Sequence, residues 1–320
     1  MNFHSHAFAA IGRQQGALLR YIHPPVRPDS DPLSRQIVKE FGFVPAPVLL
    51  HECVEGLSAG SWMLLRETML VGTVPRAEKE SLSLMISREN RCPFCVESHG
   101  MALAALHAKE NGNLMEGRER SPEERSEING TTVLFHYLNR VVNVFLDESP
   151  LPPLLRLRAW RPAWLRVGGW TFAPLAAERL VPGESLGFLP EAPLPPGLSW
   201  ARGQPHLAGA FARFADALEN AARTALPLDT RELVQRQISA SSIASNENTE
   251  AWLSGATSGL PAHDRPLAIL ALLSAFASYR VTPQHIEVAR ANGADDATLV
   301  TTVAWAAFAM ARKFGTVSAL

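Results

Sequence analysis

The sequence has few cysteines, no excess of one charge sign and no long apolar run. Three cysteines among 320 residues are too few for the disulfide framework of a secreted domain, so we expect a cytoplasmic protein. A net charge of -1 argues against nucleic acid as a partner, since that would need a basic face. The most apolar windows, 266–277 and 303–311, are shorter than the about 20 residues that span a bilayer. The N-terminus shows no signal-peptide pattern, and we expect no membrane association.

Alternating apolar and polar residues, the pattern of half-buried strands, are also absent. Helix start and stop signals are frequent instead. Asp31 and Pro32 form a helix start, apolar residues follow at helical spacing, and Gly42 is typical of a helix end. Three more helices are predicted: from about Pro75 to Asn90, from Pro93 through Ala105, and over Thr131–Phe145. The predicted fold class is all-α.

Proline and tryptophan are concentrated in the middle of the chain. The runs SPLPPLL and LPEAPLPPG flank the segment AWRPAWLRVGGWTF. Prolines at this density interrupt helices, and the tryptophans need burial, so we expect an ordered connector. The predicted organisation is a helical domain at 1–150, a connector at 151–205 and a second helical domain at 206–320.

The two helical domains resemble each other weakly. Cys92-Pro-Phe-Cys95-Val-Glu-Ser-His99 aligns with Ser278-Tyr-Arg-Val281-Thr-Pro-Gln-His285, and the two histidines coincide. Further on, Thr-Thr-Val before an apolar helix carrying Arg140 is matched by Thr-Thr-Val before one carrying Arg312. The pattern favours a tandem duplication with a degenerate second copy. Two generic apolar helix pairs are the alternative.

The best candidate site lies at the start of the third predicted helix. With Pro93 at the first helical position, Cys92, Cys95 and His99 fall on one face. The helix N-terminus stabilises a thiolate, which predicts a lowered pKa for Cys92, and His99 can exchange a proton near neutral pH. Counting at about 1.5 Å per residue from the turn near residue 90 places Glu80 level with His99. We therefore expect a Glu80–His99–dithiol relay.

Other interpretations of these residues stay open. Cys92, Cys95, His99 and a fourth ligand suit a zinc ion, or the three side chains could face the core. Glu80 could be a solvated carboxylate in the first turn of its helix. Cys53 is interpreted as a small buried apolar residue, and no role is assigned to His51.

At these residues the sequence resembles the AhpD-like family, which includes alkyl hydroperoxidase D and carboxymuconolactone decarboxylase-like proteins. The family pattern is a Glu, a CxxC twelve residues later, and a His four residues beyond the second Cys. The segment KESLSLMISRENRCPFCVESHG reproduces it with Glu80, Cys92, Cys95 and His99, and the later FHYLNRVVNVF resembles the family's final helix.

The resemblance implies an all-α fold and reduction of organic hydroperoxides without a bound cofactor. By analogy Cys95 attacks the peroxide, and Cys92 then forms a disulfide that an external dithiol or thioredoxin-like protein reduces. The helix-dipole argument instead favours Cys92 as the more acidic thiol. Homo-oligomers are expected from the family, and the cysteine-free second copy would be catalytically silent. The alternatives are a carboxymuconolactone decarboxylase-like enzyme and a redox-sensing or partner-binding protein.

Overall fold

The computed structural model describes residues 14–107, 119–151, 180–240 and 249–315. These residues form α-helices and short 3-10 turns and include no β-strand, only an isolated bridge between Leu19 and Leu146. The predicted all-α class is confirmed. The helices of the first half are α1 (Pro32–Phe41), α2 (Ala46–Leu49), α3 (Leu57–Leu65, continued by a π-turn at Arg66–Leu70), α4 (Arg76–Glu89), α5 (Pro93–His107) and α6 (Pro122–Phe145).

The second half contains six further helices within the described ranges. They are α7 (Pro205–Ala225), α8 (Leu228–Ala240), α9 (Thr249–Thr257), α10 (Arg265–Phe276), α11 (Pro283–Ala291) and α12 (Asp296–Phe314). In the described part of the chain, none of these helices combines the length and apolarity that a bilayer crossing needs.

The helix signals of the first half act as expected. The Asp31 carboxylate accepts a 3.1 Å hydrogen bond from the Ser34 N–H, and Gly42 ends α1 with a φ of 92°, where a side chain would be strained. The helices α4 and α5 begin and end close to the predicted residues.

The predicted start of the fourth helix is wrong. α6 begins at Pro122 rather than Thr131, because Ser121 and Glu124 form a capping box that nucleates it upstream. The first turns of this helix are polar, so the apolar run reveals only its buried portion.

A buried ion pair fixes α4 against α6. Lys79 Nζ lies 2.9 Å from a carboxylate oxygen of Glu127 and donates to the carbonyls of Thr68 and Val71. Glu127 also accepts the backbone N–H of Thr73. The start of α4 is therefore held by charge-assisted bonds at a place where both side chains are excluded from water.

One hydrophobic core contains residues of both halves. α6 packs along α12, and the same apolar cluster includes Phe135 and Phe145 of the first half with Phe211 and Phe308 of the second. The connector is described only in part: Trp200, in the 3-10 segment Pro196–Gly203, packs edge-on against Phe211. The other connector tryptophans, Trp160, Trp164 and Trp170, lie outside the described residues.

Both halves contain a helical hairpin followed by a long helix, and the duplication itself stays a prediction. The helix starts, however, suggest a different register from the sequence alignment. Thr282 and Pro283 begin α11 as Cys92 and Pro93 begin α5. The His285 ring then bonds to the Thr282 cap, so His285 stands at the position of Cys95 rather than that of His99.

Candidate active site

Cys92 sits between two helices and belongs to the ends of both. Its N–H donates to the Ser87 carbonyl at 2.9 Å, and Arg91, with φ of 51°, donates to the Arg88 carbonyl. These two bonds form the Schellman motif that ends α4. The Cys92 carbonyl accepts the Val96 N–H, which is the first bond of α5. The backbone of Cys92 is therefore fixed from both sides.

The two sulfurs of the CxxC pair are in direct contact. The Cys92 thiol donates to Cys95 Sγ at 2.8 Å, and both thiols are free. Cys92 is fully buried and Cys95 nearly so. A bond of about 2.05 Å between them needs only a small approach.

The predicted pKa shift of Cys92 is wrong in direction. Burial raises the pKa of the Cys92 thiol well above its usual value, and its hydrogen bond to Cys95 raises the pKa further. Desolvation opposes the charged form, and here it outweighs the helix dipole. Cys92 is thus a protonated donor, which leaves Cys95 as the sulfur that receives a hydrogen bond.

Glu80 and His99 form the pair that was predicted by counting residues from the turn between α4 and α5. A carboxylate oxygen of Glu80 lies 2.6 Å from His99 Nδ1. Arg76, one turn earlier on α4, donates to the other carboxylate oxygen at 2.7 Å. Burial alone would raise the pKa of the Glu80 carboxyl, but Arg76 and then His99 outweigh it and lower the pKa to about 2. The interpretation of Glu80 as a solvated carboxylate is therefore wrong, since its side chain is 1% exposed.

The Glu80 contact also fixes the state of the His99 ring. A carboxylate acceptor at Nδ1 requires the proton on Nδ1, which leaves Nε2 as the nitrogen that exchanges protons when the ring is neutral. The His99 and Phe135 rings pack edge to face, with their centres 4.5 Å apart. The orientation of the imidazole is thus fixed by its hydrogen bond to Glu80 and by its contact with Phe135.

A buried polar cluster supports the turn before Cys92, and the sequence reasoning missed it. The Asn90 amide lies 3.1 Å from His136 Nδ1 and 3.2 Å from Asn139 Oδ1. Asn139 in turn donates to Ser87 Oγ. Burial and then Arg140 lower the pKa of His136 to about 2, so this ring is neutral. The available signal was the spacing of polar residues at i, i+3 and i+4 within the apolar segment FHYLNR.

The second half contacts the same turn. Asn143 donates both to the Asn90 carbonyl and to Ser278 Oγ at 3.0 Å. The Arg91 guanidinium lies 4.6 Å from the ring centre of Tyr279. Tyr279 of the cysteine-free half therefore contacts the loop that carries Cys92 directly, and Ser278 contacts it through Asn143.

Arg140 and His51 each make a buried contact outside the Cys92–Cys95–His99 site. Arg140 donates to the Ala275 carbonyl at the end of α10. His51 contacts the Tyr137 hydroxyl through Nε2, and burial lowers the pKa of His51 to about 4. Cys53 is only partly buried, and burial followed by Asp296 raises its pKa to about 12.

A zinc site would need several ligand side chains around one point. Within the described residues, no three His, Cys, Asp or Glu side chains are grouped as a metal site would require.

The sequence is similar to that of a known protein over nearly its whole length. The relative is a Mycobacterium tuberculosis protein named alkyl hydroperoxide reductase. It is 31% identical over an alignment of 343 positions, which covers 99% of this chain and 95% of the relative. No family profile matches the chain, and no solved structure matches it.

Proposed function

Because the chain belongs to the AhpD-like superfamily, we propose that it is a thiol-dependent peroxidase. Its membership follows from the 31% sequence identity to an alkyl hydroperoxide reductase, which extends over nearly all of both sequences. Its substrate would be an organic hydroperoxide. The observation that carries the proposal is the contact between Cys92 Sγ and Cys95 Sγ at 2.8 Å. Such a pair can form and release a disulfide without moving either helix.

In the first step the Cys95 thiolate attacks one oxygen of the hydroperoxide and breaks the O–O bond. The product alcohol leaves, and Cys95 becomes a sulfenic acid. Cys92 Sγ then attacks Cys95 Sγ, an S–S bond forms, and the sulfenic oxygen leaves as water. One hydroperoxide and two thiols thus yield one alcohol, one water and one disulfide.

The Glu80–His99 pair would carry the protons of these steps. His99 Nε2 accepts the Cys95 thiol proton and returns it to the departing alkoxide. Glu80 holds the opposite ring nitrogen, as a carboxylate stabilised by Arg76. Such a pairing fixes the tautomer and stabilises the imidazolium that forms.

Completion of the cycle needs an external dithiol or a thioredoxin-like protein, which attacks the disulfide and leaves both cysteines reduced. We place the protein in the cytoplasm, where thiols are kept reduced. We further propose a homo-oligomer, as expected from the family resemblance.

The test is thiol loss on addition of cumene hydroperoxide, measured with Ellman's reagent after acid quenching. The wild-type chain should lose two of its three thiols, and the matched control Cys53→Ser should lose both of its two. Cys92→Ser should stop at a sulfenic acid on Cys95, and Cys95→Ser should lose thiols slowly.

Turnover separates an enzyme from a redox sensor. With excess dithiothreitol, each chain should consume many molecules of hydroperoxide, which a redox sensor would not do. Retention of all three thiols, or oxidation of Cys95→Ser at the wild-type rate, would refute the proposal.

A further inference from the structure

A cavity of about 410 Å³ opens between the described connector and the second half, separate from the dithiol. Its volume falls in the range of small-molecule sites. One wall is apolar and consists of Leu194, Pro195, Leu218, Trp305 and Phe308. Arg312, from the last turns of α12, contributes a charge to the same cavity.

Arg312 differs from the other charged residues that line this cavity because it is partly buried and unpaired. Within the described residues its guanidinium has no hydrogen-bond or ion-pair partner, and its contact is with the Phe308 ring, 5.7 Å from the ring centre. Burial lowers the pKa of Arg312, which reflects the free energy of removing this cation from water. An arginine so placed presents a planar fork of donors that matches a carboxylate.

The carboxylates of the lining are engaged elsewhere. Glu219 accepts the Trp305 indole N–H at 2.9 Å and lies 3.4 Å from Arg231 and 3.6 Å from Arg223. Asp216 is exposed to solvent and accepts from Asn220. Glu219 attracts the Arg312 guanidinium and partly offsets the effect of burial on its pKa. Neither carboxylate forms a salt bridge or a hydrogen bond with Arg312, whose donors therefore stay available to a ligand.

We propose that this cavity binds a small organic anion, with its carboxylate on Arg312 and its apolar body against Trp305 and Phe308. The occupant is a monocarboxylate with an aliphatic or aromatic chain, because the cavity offers one unpaired cation and a continuous apolar wall. The site lies on α7, α8 and α12, and its occupation does not require the cysteines.

Calorimetric titration of the full chain with sodium octanoate tests this proposal, with octanamide as the uncharged probe of equal length. Octanoate should bind about tenfold or more tightly than octanamide, since a hydrogen-bonded charge pair contributes at least that factor. Arg312→Gln should abolish the difference between the two probes, whereas Arg312→Lys should retain part of it. Arg236→Gln is the matched control, because Arg236 lies exposed on α8 beside Glu232. This variant should bind octanoate with the same affinity as the wild type.

Equal affinity of the wild type for octanoate and octanamide would overturn the proposal, and so would the absence of octanoate binding. Equal losses of affinity in Arg312→Gln and Arg236→Gln would also overturn it, since they would indicate a general surface effect. The comparison of the two probes on the wild type needs no variant, so the proposal stays testable even where Arg312→Gln does not fold. Cys95→Ser should bind octanoate with unchanged affinity, which separates this site from the peroxidase proposal.

Discussion

The buried carboxylate of Glu80 should make the folded state sensitive to acid in a way that Glu80→Gln removes. In the folded chain its pKa is lowered from 4.5 to about 2: burial opposes the shift, and Arg76 and then His99 outweigh it. The folded pKa lies below the unfolded one. The stabilisation is therefore complete above about pH 5 and is lost as the pH falls towards 2.

The magnitude follows from the size of this shift. Each pKa unit corresponds to about 1.4 kcal/mol, so ionised Glu80 contributes about 3 kcal/mol to the free energy of unfolding at neutral pH. The side chain is 1% exposed, and no allowance for solvent screening is needed. About 2 kcal/mol of this contribution should be lost between pH 7 and pH 3.

Urea unfolding at several pH values between 7 and 3, followed by circular dichroism, measures the effect. The gap in unfolding free energy between wild type and Glu80→Gln should shrink by about 2 kcal/mol across this range. Glu89→Gln is the matched control, because Glu89 is exposed in the last turn of the same helix. The difference in unfolding free energy between the wild type and this variant should not show the same decrease. Parallel curves for wild type and Glu80→Gln would refute the assignment of Glu80 as a buried, ion-paired carboxylate.

Three further predictions concern other parts of the first half. Because Arg91 has a positive φ, Arg91→Gly should be more stable than Arg91→Ala by about 1 kcal/mol in urea unfolding; equal stability would contradict the backbone assignment. Lys79→Met should lower the unfolding free energy by about 3 kcal/mol or more, since it leaves Glu127 buried and unpaired. Adding Glu127→Gln should recover part of that loss, and strictly additive losses would contradict the pairing. Cys53, whose pKa is raised to about 12 by burial and then Asp296, should react with iodoacetamide at pH 8 far more slowly in the folded chain than in urea, as followed by peptide mass spectrometry; equal rates would contradict the raised pKa.

The elements predicted from the sequence are those that short-range chemistry determines. The α4–α5 hairpin follows from Pro75, Asn90 and Pro93, each of which acts on its immediate neighbours. The Glu80–His99 contact follows from the constant rise of a helix, so that counting from the turn suffices. Whether these residues catalyse peroxide reduction stays a prediction.

The parts that were not predicted depend on packing between distant segments. The pKa of Cys92 is raised because the thiol is buried and bonded to Cys95, and no spacing rule reveals burial of that degree. Asn90, His136 and Asn139 meet only when α6 lies against the end of α4. In the second half, the 3-10 segment Ser278–Arg280 lengthens the hairpin connection before Pro283, and an ungapped alignment therefore shifts the register.

The packing of α6 along α12 also bears on how this chain accepts mutations. Each long helix forms part of the surface against which the other is buried, so a substitution in either one changes the environment of both. The cysteine-free half also reaches the loop before Cys92, since Tyr279 contacts Arg91 and Ser278 accepts a hydrogen bond from Asn143, which itself donates to Asn90. Substitutions in either half can therefore alter the position of the Cys92 loop, and a destabilising change in α6 should be compensated most readily by a change in the facing part of α12.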